Sequence, residues 1–194
     1  MTDTNQERTR LVIISVLPDD AAEAVKAIRK PCCRRAGSRE ALSYPPHITL
    51  RTGVLVPPEK MEQFIGEFEA LVHDVNPFDL KTSGILAGRL GGEYGNSPIA
   101  CYEIAPSKAL ASLNARLNSY QPYRKSNRTA FHPHLSIAYG DLTEEGLVAI
   151  KRFLKEHPIL PEREISWTCD NVSLYVKDGG QWVEFHRIPL KTKH

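Results

Sequence analysis

Long apolar runs are missing from this sequence. Behind a polar, charged segment at 1–10, the apolar stretch at 11–16 is short. A membrane span needs about 20 apolar residues, and a secretory leader needs a longer apolar region behind a basic start. A soluble cytoplasmic protein with no membrane partner is therefore expected. A large charge of one sign is missing too. The net charge of +2 is too small for bulk polyanion binding, so any nucleic-acid contact must come from a local patch. Cysteine is sparse: Cys32 and Cys33 are adjacent, Cys101 and Cys169 are isolated, and no C-x-x-C pair occurs. That excludes the usual structural zinc signature and points to reduced thiols, with a Cys101–Cys169 bridge left open.

What is present is an ordinary globular composition, with 41% hydrophobic and 25% charged residues, so a packed core is expected. A chain of 194 residues can bury roughly 70% of its unfolded surface and needs no covalent staples. Residues 11–16 read as a buried strand. A helix follows to about residue 30, where Pro31 is expected to stop it, and 29–44 reads as a basic loop. A strand is expected at 47–55. The next helix opens at Pro57-Pro58 and carries the stripe Met61, Phe64, Ile65, Phe68, Leu71 and Val72. Strands at 78–90 and 99–105 form a hairpin around a glycine-rich turn. A helix from Pro106-Ser107, a basic loop at 123–128 and a strand at 133–139 come next. A helix capped by Asp141 or Thr143 follows, then two strands at 163–176 and 181–190 around an Asp178-Gly179 turn.

The second half of this order repeats much of the first. The expected fold is α+β, a single bilobal domain over 1–194. It is a duplicated fold with two mainly antiparallel sheets flanked by helices and a catalytic groove between the lobes.

Two segments carry chemistry. Pro46-His47-Ile48-Thr49-Leu50 and Pro133-His134-Leu135-Ser136-Ile137 share one pattern: proline, histidine, aliphatic, hydroxyl, aliphatic. In a strand, alternation puts His47 with Thr49 on one face and Ile48 with Leu50 on the other, and likewise for the second copy. Each strand anchors itself by aliphatic side chains and presents an imidazole beside a hydroxyl. Two such strands facing one groove suit displacement at phosphorus. A neutral imidazole takes a proton, an imidazolium gives one, and the hydroxyls bind non-bridging oxygens. Histidine suits both roles because its unperturbed pKa is about 6.5.

These motifs resemble the paired H-x-[TS]-x signatures of the 2H phosphoesterase superfamily, which includes 2′-5′ RNA ligase-like proteins and cyclic nucleotide phosphodiesterases. The resemblance implies a bilobal, pseudo-two-fold α+β fold. It also implies metal-free hydrolysis or ligation at 2′,3′-cyclic or 2′-5′ phosphodiesters, with His47 and His134 catalytic, Thr49 and Ser136 holding phosphate, and no cofactor. The stretch 133–145 is similar to the plant and fungal cyclic phosphodiesterases, which act on ADP-ribose 1″,2″-cyclic and nucleoside 2′,3′-cyclic phosphates. Where RNA ligase-like members often carry an arginine after the second motif, Tyr139 stands here, which favours a small cyclic phosphate or a stacked base.

Lesser candidates surround these. Tyr44, Tyr102, Tyr123 and Tyr139 are stacking candidates, with Tyr139 the best placed. Arg34-Arg35 and Arg124-Lys125-Arg128 are candidate phosphate contacts. His132, two residues before His134, belongs to the groove edge or, on a rival reading, to a metal pair. His73, His157, His186 and His194 carry no motif. The substrate is expected to be a small cyclic-phosphate nucleotide or an RNA oligonucleotide, and the protein a monomer. The alternative is a non-catalytic nucleotide- or RNA-binding module of the same fold.

Overall fold

β1 (Thr9–Val16) lies near the middle of the sheet because both of its faces are apolar. Leu11 and Ile13 enter the main core, while Val12, Ile14 and Val16 join Tyr175 in a smaller cluster. The computed structural model describes residues 8–91, 95–123, 130–158, 164–179 and 181–191. The remaining described strands and helices are α1 (Asp19–Ala36), β2 (His47–Val56), α2 (Met61–Val72), β3 (Phe78–Gly88), β4 (Ile99–Ile104), α3 (Lys108–Ser119), β5 (His134–Ala138), α4 (Glu144–Glu156), β6 (Ser166–Cys169), β7 (Asn171–Asp178) and β8 (Gln181–Pro189). The element order matches the sequence expectation except at 163–176, which splits at Asp170 into β6 and β7.

The α+β class holds, but the expected two sheets are one. The strand order is β6-β3-β4-β5-β2-β1-β7-β8, with antiparallel pairing throughout the described ladder. The two halves of the sheet meet at a single described pair, Ile48 on β2 opposite Leu135 on β5. Nor do the halves follow the chain. β7 and β8, last in sequence, extend the β1 side, whereas β3 and β4 lie on the β5 side.

The helices cross over in the same way. α1, which leads towards β2, packs behind β5 and against α4, and α3, which leads towards β5, packs behind β2. The side chain of Asn114 on α3 donates to the Leu50 carbonyl at 2.7 Å, and the Cys33 thiol on α1 donates to the Ile137 carbonyl at 3.2 Å. Leu50 and Ile137 hold corresponding places in the two motifs.

α1 does not stop at Pro31. It runs to Ala36 and closes at Gly37, whose φ of 68° allows its N–H to reach the Cys33 carbonyl. A proline inside a helix costs one hydrogen bond and some clash. Here the following turn places Cys32 and Cys33 in the core, which offsets that loss. The segment read as a basic loop is therefore largely helix. Its four-residue continuation, Glu40–Ser43, is a 3-10 turn leading into β2. Ser107 and Thr143 cap α3 and α4 by accepting from the Leu110 and Gly146 N–H groups. Asp141, the other expected cap, instead accepts from the Ser38 hydroxyl and the Arg39 and Glu40 N–H groups.

All four cysteines are free and buried, so Cys101 and Cys169 are not bridged. Among the described residues, no helix is long and apolar enough to cross a membrane.

Candidate functional site

β2 and β5 are neighbours in mid-sheet, and the Ile48–Leu135 pair sets their register. Ile48, Leu50, Leu135 and Ile137 are buried in the main core. The alternate residues line one cavity of about 370 Å³ that contains His47, Thr49, His134 and Ser136 together. Extending the antiparallel register by one residue puts His47 abreast of Ser136 and Thr49 abreast of His134. Each imidazole thus has a hydroxyl two residues along its own strand and another across the strand boundary.

Both rings are fastened alike. His47 Nδ1 lies 2.8 Å from the Pro45 carbonyl, and His134 Nδ1 lies 2.8 Å from the His132 carbonyl. A carbonyl only accepts, so each Nδ1 carries a proton, and in the neutral ring the lone pair sits on Nε2. The recurring residue before each histidine, Pro46 and Pro133, lies between the ring and the carbonyl it binds.

Their electrostatics differ in degree. Burial pushes His47 down to about 4, opposed by its bond to Pro45 and assisted by the positive fields of Arg29 and His134. Burial also lowers His134, opposed by its bond to the His132 carbonyl and assisted by the His132 ring. His47 is 9% exposed and His134 is half-buried, which accounts for the stronger effect on His47.

The side wall is aromatic. The Tyr44 ring lies 5.3 Å from Trp182 at an interplanar angle of 26°, and 5.2 Å from His47, tilted. The phenols of Tyr44 and Tyr139 influence each other, and burial raises the pKa of both, Tyr139 to about 12. Arg10 and Thr52 line the same cavity.

Of the other sequence candidates, His132 stands beside the site, with Nε2 3.7 Å from a Glu103 carboxylate oxygen and its ring 6.3 Å from that of His134. Among the described residues, no three His, Cys, Asp or Glu side chains converge as a metal-ligand set. Tyr102 is not a stacking residue, because it is buried in the main core. Tyr123 packs edge-on to Phe64, away from the cavity's lining. Arg34 and Arg35 lie on the exposed side of α1, with Arg35 over the Phe153 ring. Arg124, with Lys125 and Arg128, lies outside the described residues, as does His194. His73 bonds to the Ala70 carbonyl, His157 packs on Phe153, and His186 pairs with Glu69.

Sequence reasoning missed Trp182, Arg10 and, most of all, Arg29. Arg29 is 3% exposed and donates to the Ser136 carbonyl through Nε and Nη2 and to the Tyr44 carbonyl through Nη1. A signal existed. Ala22, Val25, Arg29 and Cys32 fall at helical spacing on the buried face of α1, and only the assumed stop at Pro31 hid it. Trp182 and Arg10 carry no local signal.

A single antiparallel sheet that sets two H-x-[TS] strands side by side, with helices behind, defines the 2H phosphoesterase class. The chain belongs to the 2′-5′ RNA ligase superfamily, whose family model matches residues 17–181. Its fold is similar to that of Escherichia coli LigT, crystallised with 3′-AMP. The TM-score is 0.64 at 20% identity, over 96% of this chain and 100% of that one. Kluyveromyces marxianus Usb1 is similar at a TM-score of 0.52 and 13% identity, over 95% and 99% of the two chains. In sequence, a Bacillus cereus protein that carries the name phosphoesterase is 28% identical over 120 residues. That match spans 59% of this chain and 66% of the relative, just under two thirds of its length.

Proposed function

We propose that this chain is a metal-independent phosphodiesterase that opens a ribose cyclic phosphate, nucleoside 2′,3′-cyclic or ADP-ribose 1″,2″-cyclic, or cuts a 2′-5′ linkage. His47 and His134 serve as the acid–base pair, and no cofactor takes part. The observation that carries this reading is the matched fastening of the two histidines. Both hold Nδ1–H on a carbonyl two residues upstream, and both stand abreast of a hydroxyl from the other motif.

The environments of the two rings support one division of roles. His47, held neutral by burial and by the neighbouring Arg29 charge, accepts a proton from the attacking water through Nε2. His134, less buried, takes up a proton when the anionic phosphate binds and delivers it to the departing ribose oxygen. The Thr49 and Ser136 hydroxyls donate to the non-bridging oxygens as charge builds on them. Tyr44 and Trp182 offer a face for a base, and Arg10 offers a cation for a further phosphate. LigT has been crystallised with 3′-AMP, NADP+ and ATP, and a cavity of about 370 Å³ suits a ligand of that nucleotide class.

The test is hydrolysis of the four nucleoside 2′,3′-cyclic phosphates in EDTA, for wild type beside His47→Ala and His134→Ala, with the product phosphate position read by chromatography. Turnover that survives EDTA and is lost in both variants is expected. Turnover that survives either substitution removes the two-histidine mechanism. Absence of turnover on these substrates, on 2′-5′ oligonucleotides and on ADP-ribose cyclic phosphate leaves the binding-module reading.

A further inference from the structure

We propose that Arg29 is the positioning residue of this site. One buried guanidinium bonds both to the approach of the first motif and to the backbone of the second, and so sets how His47 and His134 stand to each other. The role in turnover rests on the phosphodiesterase reading above.

The need for such a tie comes from the sheet. β2 and β5 share one described backbone pair, Ile48 and Leu135, so the ladder alone holds the two motifs loosely. Arg29 on α1 supplies what the ladder lacks. Nε and Nη2 donate to the Ser136 carbonyl at 3.1 and 2.8 Å, and Nη1 donates to the Tyr44 carbonyl at 3.0 Å. Ser136 is the hydroxyl residue abreast of His47. Tyr44 precedes Pro45, whose carbonyl holds the His47 ring. A planar fork with two donors on one acceptor and a third on another fixes both distance and angle, which a single ammonium cannot do.

A tie alone would not need a charge. Neutral groups make the corresponding ties nearby: Asn114 joins α3 to the Leu50 carbonyl of β2, and the Cys33 thiol joins α1 to the Ile137 carbonyl of β5. Arg29 instead buries a cation whose acceptors are neutral carbonyls, and among the described residues it makes no ion pair. Buried charges are normally paired, because taking an ion out of water costs several kcal/mol. The positive end of this side chain sits against the backbone of the two motifs, behind the cavity lining, and its field, felt at His47, would favour an anionic phosphate in the cavity. Burial is the main influence on Arg29 itself and weakens its hold on the proton, yet a guanidinium stays charged.

The test compares wild type with Arg29→Lys, which keeps the charge and loses the fork, and Arg29→Met, which loses both. Three readouts are used: kcat and KM on the best cyclic phosphate, the His47 titration by NMR, and binding of inorganic phosphate. Among the described residues, the charged and titratable groups around His47 are Arg29 from α1, His134 from β5, the Tyr44 phenol ahead of β2, and, on the same cavity, Arg10 from β1 and the Tyr139 phenol after β5, and only Arg29 changes in this series. Both variants should lose tenfold or more in kcat with a smaller change in KM. The His47 titration should move to higher pH in Arg29→Met and stay near the wild-type value in Arg29→Lys. Phosphate affinity should fall at least tenfold in Arg29→Met only.

A folded Arg29→Met with wild-type kcat, titration and phosphate affinity overturns the proposal. So does failure of both variants to fold, which would assign Arg29 to stability alone. If wild type turns over no phosphodiester, the functional reading fails by itself. The titration and phosphate binding still decide the case for Arg29.

Discussion

Ile48 on β2 lies directly opposite Leu135 on β5, and this one antiparallel pair places His47 abreast of Ser136 and Thr49 abreast of His134. Both aliphatic residues are fully buried. The apolar side of each motif therefore fixes the register from which the polar side takes its geometry.

In the proposed mechanism that geometry makes the two hydroxyls equivalent donors to the phosphate. Thr49→Val and Ser136→Ala should each lower kcat by about 10² to 10³, the loss seen when one such donor is removed, with KM changed much less. Steady-state kinetics on a 2′,3′-cyclic nucleotide check this. A loss confined to KM would make the hydroxyls ground-state binders only.

The histidine environments set the pH dependence. In the proposed mechanism, His47 as base is competent above its value of about 4, and His134 as acid is competent below its own, which burial holds under the ordinary histidine value. The kcat/KM profile, which reports the free enzyme, should therefore be a bell centred on the acid side of neutrality. The kcat profile should lie at higher pH, because bound phosphate favours the protonated rings. A kcat/KM optimum above pH 8 would contradict these environments.

Burial of His47 also links stability to pH. Its value falls from the ordinary 6.5 to about 4 on folding, so the unfolded chain binds the extra proton between those limits. The stability is complete above about pH 6.5 and is lost as pH falls to about 4, amounting to about 3 kcal/mol. Urea unfolding of wild type and His47→Gln at pH 7 and pH 4.5 measures it. The variant should lack this part of the slope, and identical slopes would refute the linkage.

The aromatic wall predicts a binding effect separate from the chemistry. Trp182→Leu removes the partner stacked on Tyr44 at 5.3 Å, and a stacked base is worth about 1–3 kcal/mol. KM for a cyclic nucleotide should rise about 5- to 150-fold. Turnover of a cyclic phosphate that lacks a base should be little altered. Equal losses on both substrates would show that Trp182 only supports the fold.

Gly140 tests how the turn after β5 holds the approach to His47. Its φ is +77°, and a Cβ there would stand 2.9 Å from Glu40 Cγ and 3.3 Å from Glu40 Cβ. Glu40 opens the 3-10 turn that ends beside Tyr44. Gly140→Ala should cost about 1–2 kcal/mol from the left-handed backbone alone, with Tyr44 displaced. Thermal unfolding and Tyr44 contacts by NMR check both.

Much of the site was legible because its signal is local. The repeated proline–histidine–aliphatic–hydroxyl pattern needs only the two-residue period of a strand to put imidazole and hydroxyl on one face, and the cavity does contain all four. The stripe Phe64, Phe68 and Val72 is buried as its spacing predicts, and Ser107 and Thr143 cap as their chemistry suggests. The misreadings share a cause. Pro31 is a local helix breaker, but the helix continues because burial of Cys32 and Cys33 is a tertiary gain. A helix ending at Pro31 leaves Arg29 at its frayed end beside a basic loop, where the apolar face formed with Val25 and Cys32 is not legible.

By itself, then, the sequence determined the α+β class, the faces of the motif strands and the chemistry they can present, since alternation and helical period depend on neighbours in the chain. Only the tertiary structure decided that the sheet is continuous through Ile48 and Leu135, and that α1 packs behind β5 and α3 behind β2. The carbonyls that fix both tautomers and the buried cation under the pair were settled there as well. Those are pairings between residues far apart in the chain. Many arrangements satisfy the same local pattern, and only the burial of one shared core selects among them.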